Sequence, residues 1–299
     1  MVLSEEERLI NGIIFNDIER IKSILEKSKK NEKTLNLNEK NSNGKYPLIL
    51  AIDKENVEIV ELLIDYANQH QIEFELNDEN GKYGFNLLNL AIIKNNVEIV
   101  KLLIEYAKQH EIILKLNEKD KNEIYSILGA IDKNNMEIVN LLIEYANQNK
   151  IILELNKKGK NDDYPLLKAI YINNIEMFNL LIDYANQHQF KLELNEKNKD
   201  GEYPLYTATY VNNNEMVERL IDYADQHQYK LELNGKSKFG NYPVYWTIYH
   251  DNAEILKSLI DYAKKHEIIL EFVKQDLRNS TETKKILRDY EEEHLPVIN

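Results

Sequence analysis

Histidine is the residue whose placement in this chain most invites chemistry: His70, His110, His188, His227 and His266 recur every 39 or 40 positions, with Asn149 standing at the remaining step. Imidazoles at a fixed spacing suggest a metal column. Zinc, however, needs donors converging to about 2.0–2.1 Å, whereas copies on parallel neighbouring helices stand roughly 8–10 Å apart. The column therefore reads as a repeated helix-end residue, where a protonated ring complements the helix dipole. His110-Glu111 and His266-Glu267 begin like a zincin motif, but Leu114 and Leu270 fill the second histidine position.

Other reactive patterns are missing. Cysteine is absent, which removes thiol nucleophiles, thiolate metal sites and disulfides. There is no Gly-x-Ser-x-Gly elbow, Walker loop or Gly-x-Gly-x-x-Gly turn. Paired acids such as Glu176 and Asp183 recur in every unit, as a solvated helix face does. No catalytic residue, metal or cofactor is expected. A net charge of −13 opposes phosphate backbones, so nucleic acid is not an expected partner. No apolar run approaches the roughly 20 residues of a membrane span, and the opening Met-Val-Leu-Ser-Glu-Glu-Glu-Arg is acidic where a signal peptide is basic. These features point to a cytoplasmic protein with no membrane partner. Without a secretion signal, the sequon Asn279-Ser280-Thr281 reads as fortuitous.

The elements that must carry these residues form an array. Gly12, Ala51, Ala91, Ala130, Ala169, Ala208 and Thr247 occupy one column at steps of 39 or 40 residues, the period of a solenoid. Repeats that contact only their neighbours make one elongated domain. In the unit around Ala169, Tyr164-Pro165-Leu166 opens a short helix, since proline fits the first helical position. Asn173-Asn174 breaks it through an asparagine in the left-handed conformation. A second helix follows, with Met177, Phe178, Leu181, Tyr184 and Ala185 on its apolar face. By that periodicity Tyr66, Tyr106, Tyr145, Tyr184, Tyr223 and Tyr262 are core. The alternation Phe190-Lys191-Leu192-Glu193-Leu194-Asn195 predicts an extended finger with one buried side, and a turn at Gly201 leads to the next Tyr203-Pro204-Leu205.

The stretch Gly201 to Val217, Gly-x-Tyr-Pro-Leu-x-x-Ala-x-x-x-Asn-Asn-x-Glu-Met-Val, resembles the ankyrin repeat. Finger glycines recur at Gly44, Gly84, Gly201 and Gly240, prolines at Pro47, Pro165, Pro204 and Pro243, and the first-turn glutamate at Glu58, Glu98, Glu137, Glu176, Glu215 and Glu254. The resemblance covers roughly residues 9 to 273 and implies an all-α helix-turn-helix solenoid with finger loops and terminal caps. A HEAT-like array shares the period but leaves no room for the finger. The chain departs from the family in placing Tyr46, Tyr125, Tyr164, Tyr203 and Tyr242 at the usual threonine. The following histidine is also lost, and Asn-Asn replaces Gly-His. Each unit is about six residues longer than the usual 33, an addition placed at the end of the second helix. The expected organisation is a single domain, 1–299: a capping repeat over 1–40, six repeats over 41–273, and a capping helix within 274–299, starting at Ser280 or Thr281 and running through Tyr290.

In ankyrin repeats the two positions after the Ala-x pair face a concave groove, and the resemblance assigns them, with the finger tips, to partner contact. Here they are Asp53-Lys54, Ile93-Lys94, Asp132-Lys133, Tyr171-Ile172, Tyr210-Val211 and Tyr249-His250, passing from charged to aromatic along the chain. With Phe239 on a finger, this predicts an aromatic groove in the C-terminal half. The expected partner-binding residues are Tyr171, Tyr210, Tyr249, His250, Phe239, Ile93 and Lys94. Tyrosine and tryptophan bury large areas with few rotatable bonds. The rings could instead stack between repeats as core. Exposure is the preferred reading for Tyr171, Tyr210 and Tyr249, and core for Tyr206, Tyr245 and Trp246. The expectation is a monomeric, non-catalytic scaffold for a protein partner whose surface is basic or mixed. A self-associating structural element and, behind it, a metal-binding or enzymatic protein are the alternatives.

Overall fold

The computed structural model describes residues 3–77, 86–272 and 282–294. It is an all-α ankyrin-like solenoid: the described residues form fifteen α-helices, one 3-10 turn and no strand. They divide into two compact units, Met1–Glu154 and Leu155–Asn299.

The first unit contains α1 (Glu5–Ile14), α2 (Ile18–Lys30), α3 (Pro47–Asp53), α4 (Val57–His70), α5 (Leu87–Ile93), α6 (Val97–Gln109), α7 (Ser126–Asp132) and α8 (Met136–Gln148). The second contains α9 (Pro165–Tyr171), α10 (Ile175–Gln187), α11 (Pro204–Tyr210), α12 (Asn214–Gln226), α13 (Pro243–Tyr249), α14 (Ala253–Lys265) and α15 (Glu282–His294). Within each unit, first helices pack beside first helices (α3 on α5, α5 on α7; α9 on α11, α11 on α13) and second helices beside second helices. From α3 onward the first helices are only seven residues long. Such helices are marginal alone and are held by burial: Leu48, Ala51, Ile52, Leu166, Ala169 and Ile170 are inaccessible to water.

The Asn-Asn pair does more than break a helix. Its first residue takes the left-handed conformation at Asn95, Asn134, Asn173 and Asn212, with φ of 58°, 52°, 55° and 57°. Its second caps the next helix: Asn135 Oδ1 accepts from Ile138 N, and Asn213 Oδ1 from Met216 N, at 3.0 Å each. A cap of this kind contributes about 1 kcal/mol. The cap's amide nitrogen is then free to donate to the left-handed asparagine of the preceding repeat. Asn135 reaches Asn95 at 2.7 Å in the first unit, and Asn213 reaches Asn173 and Asn252 reaches Asn212 at the same distance in the second. Glycine-histidine in the same place could not form this rung.

Tyrosines make two further ladders. Those on the second helices are buried, and their hydroxyls accept the backbone N–H of the preceding finger: Leu35 to Tyr66, Phe74 to Tyr106 and Leu114 to Tyr145 at 3.0–3.1 Å, and Leu192 to Tyr223 and Leu231 to Tyr262 at the same distances. Those ahead of the first helices, where the family carries threonine, reach forward instead. Tyr164 donates to Glu196 O at 3.0 Å and Tyr203 to Gly235 O at 3.1 Å. Burial pushes the Tyr125, Tyr164 and Tyr203 hydroxyls well above the ordinary phenol pKa, which keeps them neutral donors.

The fingers are tied by a third polar device. Asn195 Nδ2 donates to Lys230 O at 2.8 Å while its Oδ1 accepts from Glu232 N at 2.9 Å, and Asn234 repeats the pair with Ile269 O and Glu271 N. Asn77 and Asn117 do the same in the first unit. The alternation in the finger sequence is observed, with Leu192 and Leu194 buried and Lys191 exposed, although the segment pairs through these asparagines rather than as a strand. Gly201 is required by its turn: φ is +77°, and a Cβ there would lie 3.0 Å from Lys238 N and Ser237 Cα of the following finger. Gly84, by contrast, lies outside the described residues, as do the Ser280 and Thr281 caps and the sequon at Asn279.

At the ends, α1 and α2 form the degenerate first repeat, with Ser4 and Glu7 in a reciprocal capping box at the start of α1. α15 runs through Tyr290 to His294. Tyr290 accepts from Leu270 N at 3.2 Å, so α15 takes the place of an eighth second helix. Its Thr283 donates to Asp251 at 2.8 Å and closes the asparagine ladder of the second unit.

Candidate protein-docking surface

Once the ladders have taken up the recurring residues, the positions that vary from repeat to repeat remain. The histidine column belongs to the ladders. Each ring packs on the tyrosine four residues earlier, with centroids 4.1–4.2 Å apart for Tyr106–His110, Tyr184–His188, Tyr223–His227 and Tyr262–His266. Nε2 meets Asn68 Oδ1 at 2.8 Å from His110, and Asp225 Oδ1 at 2.9 Å from His266. His294 extends the column one step further onto Tyr290. Among the described residues no group of three or more His, Asp or Glu could hold a metal ion.

In the first unit two residues of the variable column, Asp53 and Lys94, are tied into ion pairs. Asp53 receives Lys45 at 3.0 Å and Lys94 at 3.1 Å, and Lys94 also donates to the Asp53 carbonyl at 2.9 Å. Burial alone would raise the Asp53 carboxyl, but the hydrogen bonds from Lys45 and Lys94 outweigh it and hold the pKa below its ordinary value. Ile93 beside Lys94 is half-buried.

The second unit is different. Tyr171, Tyr210 and Tyr249 are the last residues of α9, α11 and α13, so the side-by-side packing of those helices sets them in a row. They are 52%, 41% and 67% exposed, and Phe239 on its finger is 71% exposed. The row is not loose. Trp246, in the middle of α13, stands edge-on to Tyr210 at 4.8 Å, to Tyr245 at 5.1 Å and to Tyr249 at 5.5 Å. His250 Nε2 contacts Tyr210 O at 2.9 Å, which pins the α13 end against α11. Lys238 Nζ lies 5.1 Å from the centre of the Phe239 ring.

Of the three aromatics read as core, Tyr206 is buried. Tyr245 and Trp246 are half-buried, although Trp246 packs across to Tyr206 and Tyr210 of α11. Trp246 is the residue the sequence undervalued: its Nε1 is covered and has no hydrogen-bond partner among the described residues, yet its ring organises the exposed tyrosines. Its place one residue after Tyr245 carried no signal apart from its singularity in the chain.

Residues 9–114 and 127–229 match the family model for ankyrin repeats in three copies. No curated protein matches the chain. Among solved structures, the ankyrin repeat domain of Bcl-3, a member of the IkappaB protein family, is similar with a TM-score of 0.54 at 16% identity, over 86% of this chain and 97% of that one. The ankyrin repeat protein EF0377 gives 0.54 at 17% identity, over 76% and 98%. At such identities these likenesses show the fold alone. The matched span exceeds half of the sequence and agrees with the repeat geometry described above: the chain belongs to the ankyrin repeat family, whose repeats are protein–protein interaction modules.

Proposed function

We propose that this protein is a non-catalytic scaffold that docks a protein partner on the aromatic surface of its second unit, with Tyr171, Tyr210, Tyr249, His250 and Phe239 in contact. The observation that carries the reading is the exposure of three tyrosines, 41–67%, at the matching ends of adjacent helices around Trp246. Large exposed aromatics grouped on a rigid base are what interface hot spots are made of. The ladders hold that base in place, so little ordering cost falls on this side of the interface. Ile93 and Lys94 in the first unit would contribute orientation and association rate more than affinity. The partner is a protein rather than nucleic acid or membrane, in keeping with a charge of −13; among the described residues no helix is long and apolar enough to cross a membrane. The same reading takes the chain as a cytoplasmic monomer working as one domain.

The test is affinity capture from a native lysate with the intact chain beside a Tyr171→Ala, Tyr210→Ala, Tyr249→Ala variant whose fold is verified by circular dichroism. Proteins lost only from the variant support the reading; identical captured sets refute it. Light scattering across a concentration series checks the monomer, and a single calorimetric transition the single domain.

A further inference from the structure

The row of first helices in the second unit stops at α13. Among the described helices α13 packs on α11, α14 and α15, and no first helix follows it. The effect shows at two positions. Those equivalent to Tyr245 and Ile248 are buried in every earlier repeat; in this unit Leu167, Tyr206, Ile170 and Thr209 are 3% exposed or less. Tyr245 and Ile248 themselves are only half-buried. The chain is also shortened here: Tyr290 follows Tyr262 by 28 residues, against 39 from Tyr223 to Tyr262, which leaves too little length for both a finger turn and a first helix. α15 fills the place of a second helix, and the flank of α13 has lost its neighbour.

Contacts inside each unit define what such a flank receives. In the first unit Ser126 Oγ bonds Asn89 Oδ1 at 2.8 Å, a Cβ on Gly129 would lie 3.3 Å from Ile92 Cγ2, and Lys94 Nζ donates to Asp53 O at 2.9 Å. In the second, Trp246 packs on Tyr206 and Tyr210, and His250 Nε2 meets Tyr210 O at 2.9 Å. Counted from the first residue of the covering helix, these are positions i, i+3 and i+7, one stripe of a helix. The residue at i+3 lies on the helix beneath. The one at i+7 brings a side-chain nitrogen to the carbonyl of that helix's last residue.

We propose that the open flank of α13 binds a short amphipathic helix of a protein partner, seated where an eighth first helix would stand. Its i+3 position carries an apolar residue that rests on Tyr245 and Ile248. Its i+7 position carries a lysine, arginine or histidine that donates to Tyr249 O, as Lys94 and His250 do to their own neighbours. A cation there also meets the negative end of α13. The partner thus continues an interface already repeated along the array, in the manner of a helix laid into an apolar groove. The site is separate from the groove proposed above: Tyr171 and Phe239 take no part in it, and Trp246 and Tyr249 border both.

The experiment displays helical peptides of about fifteen residues, long enough to hold a helix, with random residues along one face and the full chain as bait. Selected peptides are titrated by the emission of Trp246, the chain's single tryptophan. The expected set carries an apolar residue four positions ahead of a lysine, arginine or histidine. Its binding should fall about tenfold or more in Tyr245→Arg with Ile248→Arg, checked for folding by circular dichroism, and stay within twofold in Tyr171→Ala. Hydrogen exchange of the wild-type chain decides the matter if the double variant unfolds: the peptide should slow exchange in α13 and leave α9 unchanged. No helical binder, or binders without the basic position, would overturn the proposal. Binders lost from Tyr171→Ala but not from the flank variant would overturn it as well, while supporting the groove. If light scattering shows wild-type dimers that the flank variant lacks, the occupant is a second copy and the partner helix is refuted.

Discussion

The first and second units are built by the same rules and finished differently. Each has the asparagine rung, the backward-reaching tyrosine and the finger asparagine with nearly equal distances: Leu114 to Tyr145 is 3.1 Å, and Leu192 to Tyr223 is 3.0 Å. Yet in the same variable column Asp53 and Lys94 are drawn into ion pairs in one unit, while Tyr171, Tyr210 and Tyr249 stand exposed in the other. The pairs of Asp53 with Lys45 and Lys94 turn those charges toward the protein itself, whereas the rings of Tyr171, Tyr210 and Tyr249 keep 41–67% of their surface open to solvent. Recurrence therefore marks what holds the array together, and change along a column marks what it offers to others.

The comparison can be broken most forcefully in the scaffold. Tyr145→Ala in the first unit and Tyr223→Ala in the second each remove a buried ring and orphan a buried backbone N–H. Each is expected to cost roughly 3–5 kcal/mol, and denaturant titration should find the two losses equal within about 1 kcal/mol. A large disparity would mean that the ladders are not equivalent. Next in size is the surface itself: Tyr210→Ala with Tyr249→Ala should weaken a captured partner by about 2 kcal/mol or more per hot-spot ring, with the fold intact by circular dichroism. Lys94→Ala in the first unit should change the association rate only a few-fold. If Lys94→Ala has the larger effect on affinity, the assignment of the two units is reversed.

Smaller effects sharpen the picture. Asn135→Ala and Asn213→Ala each lose a helix cap, and each should lower stability by about 1 kcal/mol in chemical denaturation. The smallest is a matter of pH. Because the folded-state pKa of Asp53 is depressed, its pairing with Lys45 and Lys94 stabilises above the unfolded carboxylate value of about 3.9 and is lost as pH falls through the lower folded value. Melting followed between pH 6 and 3 should show a slight acid-side loss that Asp53→Asn abolishes. The partly exposed setting keeps the loss small.

Much of this could be read from the sequence, because solenoid periodicity is written in apolar spacing. The 39-residue step, the prolines at helix starts and the core second-helix tyrosines needed nothing else. Exposure of Tyr171, Tyr210 and Tyr249 followed from the family's geometry. What stayed hidden were relations between polar atoms of different repeats. Asn135 could be read as a breaker, but not as a donor to Asn95, because that rung depends on how neighbouring helices are offset. Tyr203 looked like a loss of the family's threonine, whereas its hydroxyl makes a bond of its own, donating to Gly235 O of the following finger. Trp246 lay beyond sequence reasoning for a related reason. Its importance comes from convergence across two helices, which no single unit displays.

The finger asparagine has a consequence for how such a protein can change over generations. Asn195 binds the backbone of the finger after it, and Asn156, on the finger before, binds Lys191 O and Glu193 N of the finger that carries Asn195 through the same two atoms. Every internal link therefore presents one identical connector upstream and another downstream, and both address main-chain groups that any side chain leaves in place. A duplicated or deleted 39-residue stretch would meet neighbours already shaped to receive it, with no polar atom stranded. Array length and the residues on the variable column can then drift independently, so new specificities can be tried without renegotiating the architecture.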